Sequence, residues 1–93
     1  MHKTYKLRIT GKVQGVWYRA SAKDKAIALG LTGKVWNEKD GNVGAFVRGP
    51  ANKIMEFIDW CKKGPPLSQV DDVVYEILAD NNEQFNGFEI VRG

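Results

Sequence analysis

The residues best able to do chemistry lie in one run, Gly11-Lys12-Val13-Gln14-Gly15-Val16-Trp17-Tyr18-Arg19, which joins an alternating segment to a helical one. Glycines let such a loop turn its backbone N–H groups inward, which forms a concavity suited to an anion. A helix beginning where the loop ends adds its free N–H groups and the positive end of its dipole. Arg19 stands at that junction with a permanent charge on a planar fork that matches phosphate oxygens. The chemistry indicated is the binding of a phosphoryl group. A glycine loop before a helix is also often only a turn, and the residue types leave both readings open. The Walker loop is excluded because no Gly-Lys-Ser/Thr follows at its spacing, and the dinucleotide pattern Gly-x-Gly-x-x-Gly is absent.

The surrounding pattern shows what must position this loop. Tyr5, Leu7 and Ile9 alternate with Lys6, Arg8 and Thr10, the period of a half-buried strand. Arg19 opens a predicted helix with Ala22, Ala26 and Leu29 on its inner face, and Gly30 is a natural stop. Leu31 to Asn37 reads as a strand, Asp40-Gly41 as a hairpin turn, and Val43, Ala45 and Val47 as the inward positions of the partner strand. Gly49-Pro50 is expected to start a second helix, since proline suits the first helical turn. Ile54, Phe57, Ile58 and Cys61 form its apolar stripe, and Gly64-Pro65-Pro66 ends it. Val70 to Leu78 is a further strand, Asp80 to Glu83 a loop, and Phe88 to Val91 a short last strand. This order is βαββαβ with one additional strand. Both helices must cover the same sheet face to bury their stripes, which predicts an α+β two-layer sandwich of the ferredoxin-like kind with a mainly antiparallel sheet. The repeated tripeptide Gly-Lys-Val at Gly11 and Gly33 is too short to argue an internal repeat.

At 93 residues the chain is expected to form a single domain over residues 1–93. Apolar residues make up 43% and charged residues 27%, a balance that argues against disorder. The net charge of +3 is spread from Lys3 to Arg92. A dedicated nucleic-acid binder would cluster such residues on one element, so no nucleic acid is expected, whereas a small anionic substrate is compatible. No stretch is apolar and long enough to span a membrane, and no apolar signal segment follows Met1. One cysteine permits no intramolecular disulfide, and a cytoplasmic location is expected.

Other candidate groups have plainer explanations. His2 is expected in a frayed terminus, which removes a histidine nucleophile or a His-rich metal site. Cys61 falls on the apolar stripe of the second helix, and Leu67 stands where a cysteine phosphatase would need arginine. Asp71 and Asp72 are adjacent in a strand and so point to opposite faces, which makes them a poor metal pair. Trp36 and Phe46 could imitate the base-stacking platform of an RNA-binding sheet, but Val43 and Gly44 stand where that module requires glycine and an aromatic. Ordinary sheet packing is the better account.

The run from Gly11 to Arg19 resembles the first signature of the acylphosphatase family, Gly-x-Val-x-Gly-Val-x-aromatic-Arg, at every position. A second signature is similar from Gly33 to Val43, with Gly33, Val35, Asn37, Gly41, Val43 and then Gly49 at the family's spacings. Two positions depart: Lys34 replaces a usual aromatic, and Trp36 replaces a small or polar residue. The resemblance covers nearly the whole chain. It implies a cofactor-free and metal-free hydrolase for carboxyl-phosphate anhydrides, acting as a monomer on a small acyl phosphate. By position it implies a phosphate cradle in the backbone of Gln14, Gly15, Val16, Trp17, Tyr18 and Arg19, a phosphate-binding arginine at Arg19, and a water-orienting asparagine at Asn37. Trp17 would shape the mouth of the site, and inorganic phosphate or sulfate would occupy it. In the family's usual account the substrate's own phosphate oxygens take the proton of the attacking water. Two other readings follow from the same residues: a non-catalytic ferredoxin-like module that binds an anion or nucleic acid, and a piece of a larger maturation protein. Intact Arg19 and Asn37 favour the enzyme. Met1 and an end just past the last strand favour a free-standing chain.

Overall fold

The computed structural model describes residues 2–78 and 85–92. Its elements run β1 (His2–Lys12), α1 (Tyr18–Ala28), β2 (Thr32–Asn37), β3 (Val43–Pro50), α2 (Ala51–Lys63), β4 (Gln69–Ile77) and β5 (Phe88–Val91). The expected loop at Asp80 to Glu83 lies outside the described residues. The strands form one sheet in the order β4-β1-β3-β2-β5. All neighbours pair antiparallel except β2 and β5, which are parallel. The first four strands and two helices have the ferredoxin-like order, and β5 is appended beside β2.

Each helix stripe is buried against one face of this sheet. Ala22 and Ala26 let α1 approach β2 and β5 closely, while Ile54, Phe57, Ile58 and Cys61 of α2 are buried over β1, β3 and β4. The sheet contributes Leu7, Ile9, Val35, Val43, Ala45 and Val47 to the same core. Phe57 joins the two halves, with its ring 6.2 Å from Trp60 and 6.0 Å from Phe88. The end of α1 shows why Gly30 stops it. Gly30 takes a left-handed φ of 73°, its N–H donates to the Ile27 carbonyl, and the Leu31 N–H reaches back to Ala26. These are the paired bonds of a Schellman motif.

Several boundaries differ from the sequence expectation. Helix α1 begins at Tyr18 with Trp17 as its N-cap, one residue ahead of Arg19. Pro50 is not in the first turn of α2. It ends β3 and caps the helix with an extended ψ of 139°, because it still pairs with His2 across the sheet. His2 is therefore the first residue of β1 and not part of a frayed end. It lies at the opposite end of β1 from the loop at Val13. Strand β4 is an edge, so of its nine residues only Val73 is buried, while Val74, Tyr75 and Ile77 remain exposed.

Phe57→Ala removes a ring that is 1% exposed and touches both helices' neighbours. The expected loss is about 3–5 kcal/mol, a large part of the stability of a domain this small. Urea unfolding followed by circular dichroism measures it, and a loss below about 1 kcal/mol would contradict this placement of the core.

Candidate active site

Strand register brings the sequence-marked residues to one end of the sheet. Ile9 of β1 and Asn37 of β2 both lie opposite Val43 of β3. The two outer strands therefore run parallel, with Asn37 level with Ile9 about 10 Å away across the intervening strand, while β1 continues to Lys12. Three residues beyond Ile9, the chain leaves the sheet and enters the loop before α1. Asn37 shares parity with buried Gly33 and Val35, which puts it on the helix-covered side, and as the last residue of β2 it is exposed. On the other flank Trp36 pairs with Val91, so Arg92 follows at the level of Asn37.

Gly15 has φ 73° and Trp17 φ 66°, and Trp17 is the only described non-glycine residue with positive φ. A tryptophan in this region is uncommon, and holding it there costs about 1–2 kcal/mol. Tyr18 provides the restraint. Its side chain is 1% exposed, its ring lies 5.6 Å from Trp60, and its hydroxyl donates to the Cys61 carbonyl at 2.7 Å. Burial pushes the phenol far above its ordinary range. Tyr18 is thus an anchor whose side chain points into the core, while neighbouring Trp17 is 76% exposed.

No side chain caps α1, and its first internal bond runs from Ser21 N–H to Trp17. The N–H groups of Tyr18, Arg19 and Ala20 precede that bond and find no acceptor within the helix. Its first turn holds no acidic residue, and Arg19 adds positive charge there. A cavity of about 350 Å³ opens at this point, lined by Val13, Gly15, Trp17, Tyr18, Arg19, Ala20, Ile90 and Arg92. Gly15, Trp17, Tyr18 and Arg19 lie in its wall together with two residues not singled out from sequence, Ile90 and Arg92, whereas Gln14 and buried Val16 do not line it. Asn37 is not in that wall, although it ends at the same edge of the sheet. Only the parallel pairing of β5 with β2 could have pointed to Ile90 and Arg92, and no local pattern encodes it.

Gln14 also does more than supply backbone. Its side-chain nitrogen donates to the carbonyls of Glu38 and Asn42, each at 2.8 Å. The Asp40-Gly41 turn sits between those residues, closed by bonds from Glu38 N–H to Asn42 and from Gly41 N–H to Glu38. Arg8 holds its outer side through ion pairs with Glu38 and Asp40. The Asn42 backbone N–H and then Arg8 hold the Asp40 carboxyl below its usual range.

The acylphosphatase family model matches residues 5–90. This chain belongs to the acylphosphatase family. It is 44% identical over 84 residues to an acylphosphatase from Methylococcus capsulatus, covering 90% of both chains. Its fold is similar to a crystal structure of acylphosphatase from Bacillus subtilis, with TM-score 0.91 and 33% identity over 98% of this chain and 99% of that one. A structure of an acylphosphatase from Coxiella burnetii matches with the same TM-score and identity, over 97% and 93% of the two chains.

The two departures from the family signature fall on the helix-free face. Lys34 and Trp36 alternate with buried Gly33 and Val35. Trp36 lies across Gly44, where a Cβ would come within 2.6 Å of its ring, and packs 5.2 Å from Phe46. The Lys34 ammonium sits 5.5 Å from the centre of the Phe46 ring, a cation–π arrangement. The open-face aromatics pack against each other and against Phe85. No helix is long and apolar enough to cross a membrane among the described residues.

Cys61 is 1% exposed, and burial pushes its thiol up to about 12. The native state therefore favours the neutral thiol. That preference is fully present below the unfolded value and is lost as pH rises toward 12. At pH 8 iodoacetamide is expected to leave Cys61 unmodified in the native protein and to alkylate it after denaturation. Rapid native labelling with loss of activity would show that Cys61 takes part in the site.

Proposed function

We propose that this acylphosphatase-family chain hydrolyses acyl phosphates to a carboxylate and inorganic phosphate, with Arg19 and the backbone of residues 14–19 binding the phosphoryl group and Asn37 orienting the attacking water. The observation that carries the reading is the unsatisfied start of α1. Free N–H groups, the positive dipole end and the Arg19 guanidinium meet in one cavity, at the sheet end where β2 finishes with Asn37.

The chemistry asks little beyond this. A carboxylate leaves as a weak base, of pKa roughly 4, so no general acid is required. The transition state is loose and spreads charge over the equatorial phosphoryl oxygens. Preorganised N–H donors and a guanidinium meet that charge without having to reorient. Asn37 offers an amide donor and a carbonyl acceptor, which together hold a water in one orientation. The substrate's own phosphate oxygens take the proton of that water. Ile90 and Val13 give the cavity an apolar wall for the acyl group. Arg19 and Asn37 come from one chain, so a monomer suffices. Inorganic phosphate or sulfate would bind as product-like ligands.

Arg19→Ala is expected to lower kcat/KM on the order of 100- to 1000-fold and to weaken inorganic phosphate binding. Asn37→Ala should remove most turnover while leaving phosphate affinity near normal, because truncating an exposed side chain costs at most about 0.5 kcal/mol of stability. The paired measurement is benzoyl phosphate hydrolysis with phosphate binding by calorimetry. Normal hydrolysis by either variant would overturn its assigned role. Wild-type protein that binds phosphate but releases none from substrate would be an anion-binding module instead.

Arg19 and the N–H groups supply the positive charge, and the described residues contain no group of three or more metal-ligating side chains. Activity is therefore expected to survive exhaustive EDTA treatment. Loss on chelation, restored by one divalent metal, would contradict the mechanism.

A further inference from the structure

Gln14 belongs to the loop before α1, yet its side chain does not line the cavity and crosses to the β2–β3 turn. One NH2 group donates both hydrogens, to the Glu38 carbonyl and the Asn42 carbonyl, at 2.8 Å each. These acceptors stand at the two ends of the turn, so a single side chain holds it closed from the loop side. The first of them belongs to the residue directly after Asn37.

Arg8 grips the same turn from outside, through Glu38 at 3.5 Å and Asp40, but the side chains of Arg8 and Asp40 are about half exposed. Exposed ion pairs hold geometry weakly and soften with salt. The Gln14 bonds are part-buried and run directly from the loop bearing the anion donors to the backbone beside Asn37. We infer that Gln14 is a positioning residue that fixes the Asn37 carboxamide relative to the phosphate loop, so that the bound phosphoryl group and the attacking water are held in register. This rests on the role given to Asn37 above.

The test uses Gln14→Leu, which keeps bulk and removes both donors, and Gln14→Glu, which keeps shape and reach but donates nothing when ionised. Misplacing a reacting group by about 1 Å can cost about 100-fold, so kcat should fall about 10- to 100-fold in both variants. Inorganic phosphate affinity and the thermal midpoint should stay close to wild type. The deciding measurement is a double-mutant cycle with Asn37→Ala. If Gln14 acts through Asn37, Gln14→Leu should cause no further loss of kcat in the Asn37→Ala background. An equal fold-loss in both backgrounds, an unchanged kcat in the single variant, or phosphate affinity falling in step with kcat would each overturn the inference. Should the Leu variant fail to fold, Gln14→Glu gives a second readout. Its activity relative to wild type should recover as pH falls below about 4 to 5, where the carboxyl regains a donating O–H. A flat ratio across that range would also overturn it. Normal hydrolysis by Asn37→Ala alone would instead overturn the role of Asn37, a distinct result.

Discussion

The site depends first on register along β3. Val43 faces Ile9 on one side and Asn37 on the other, and this double pairing sets the end of β2 level with Ile9, three residues before β1 leaves the sheet. A slip of one residue in the β2–β3 ladder would turn every side chain of β2 to the opposite face. Asn37 would then leave the helix side, and Val35 would leave the core with it. Burial prevents the slip, because Leu7, Ile9, Val35, Val43 and Val47 are all 1% exposed or less. The placement of Asn37 on the helix side therefore needs no separate support at this level. It is a consequence of apolar alternation in three strands.

The start of α1 shows the opposite relation between fold and site. A helix beginning is ordinarily capped by a side-chain oxygen and favours negative charge. Here the cap position is a left-handed tryptophan, no side chain caps the helix, and an arginine occupies the first turn. Each choice works against the helix by an amount on the order of 1 kcal/mol. They are coherent with the anion site proposed above. Tyr18 keeps the arrangement in place by burying its ring between the helices and donating to α2. The aromatic position of the loop signature is thus a tether, which explains why it directly precedes the arginine.

Element order and the inward residues were legible because periodicity reports burial directly. Leu7 and Ile9, then Val43, Ala45 and Val47, and the stripe of Ile54, Phe57, Ile58 and Cys61 are all core. Errors arose where backbone pairing competes with local propensity. Pro50 looks like a first helical residue but still pairs with His2, and the same pairing orders a terminus expected to fray. Arg19 and its loop were readable because glycine spacing and an arginine are local signals. Gln14 was legible only as backbone, since the use of its amide depends on where the β2–β3 turn comes to rest. Ile90 and Arg92 were invisible as cavity residues because β5 joins the sheet by a long-range parallel pairing. Lys34 and Trp36 depart from the family signature, yet strand parity sends both to the helix-free face, where bare Gly44 receives the indole.

A chain of this size has little interior in which to hold an ionised catalytic group, and its single thiol is kept neutral by that same interior. Chemistry at its surface must use groups that need no burial to be effective. Backbone N–H donors at a helix start are fixed by the fold itself, and guanidinium stays charged at any relevant pH. These groups stabilise phosphoryl charge but cannot transfer a proton at neutral pH. The reaction must therefore have a leaving group that departs without one. A carboxylate meets that condition, whereas the alkoxide of a phosphate ester does not. The same feature that keeps the site sparse, the lack of room for a buried acid, thus matches it to acyl phosphates over ordinary phosphate esters.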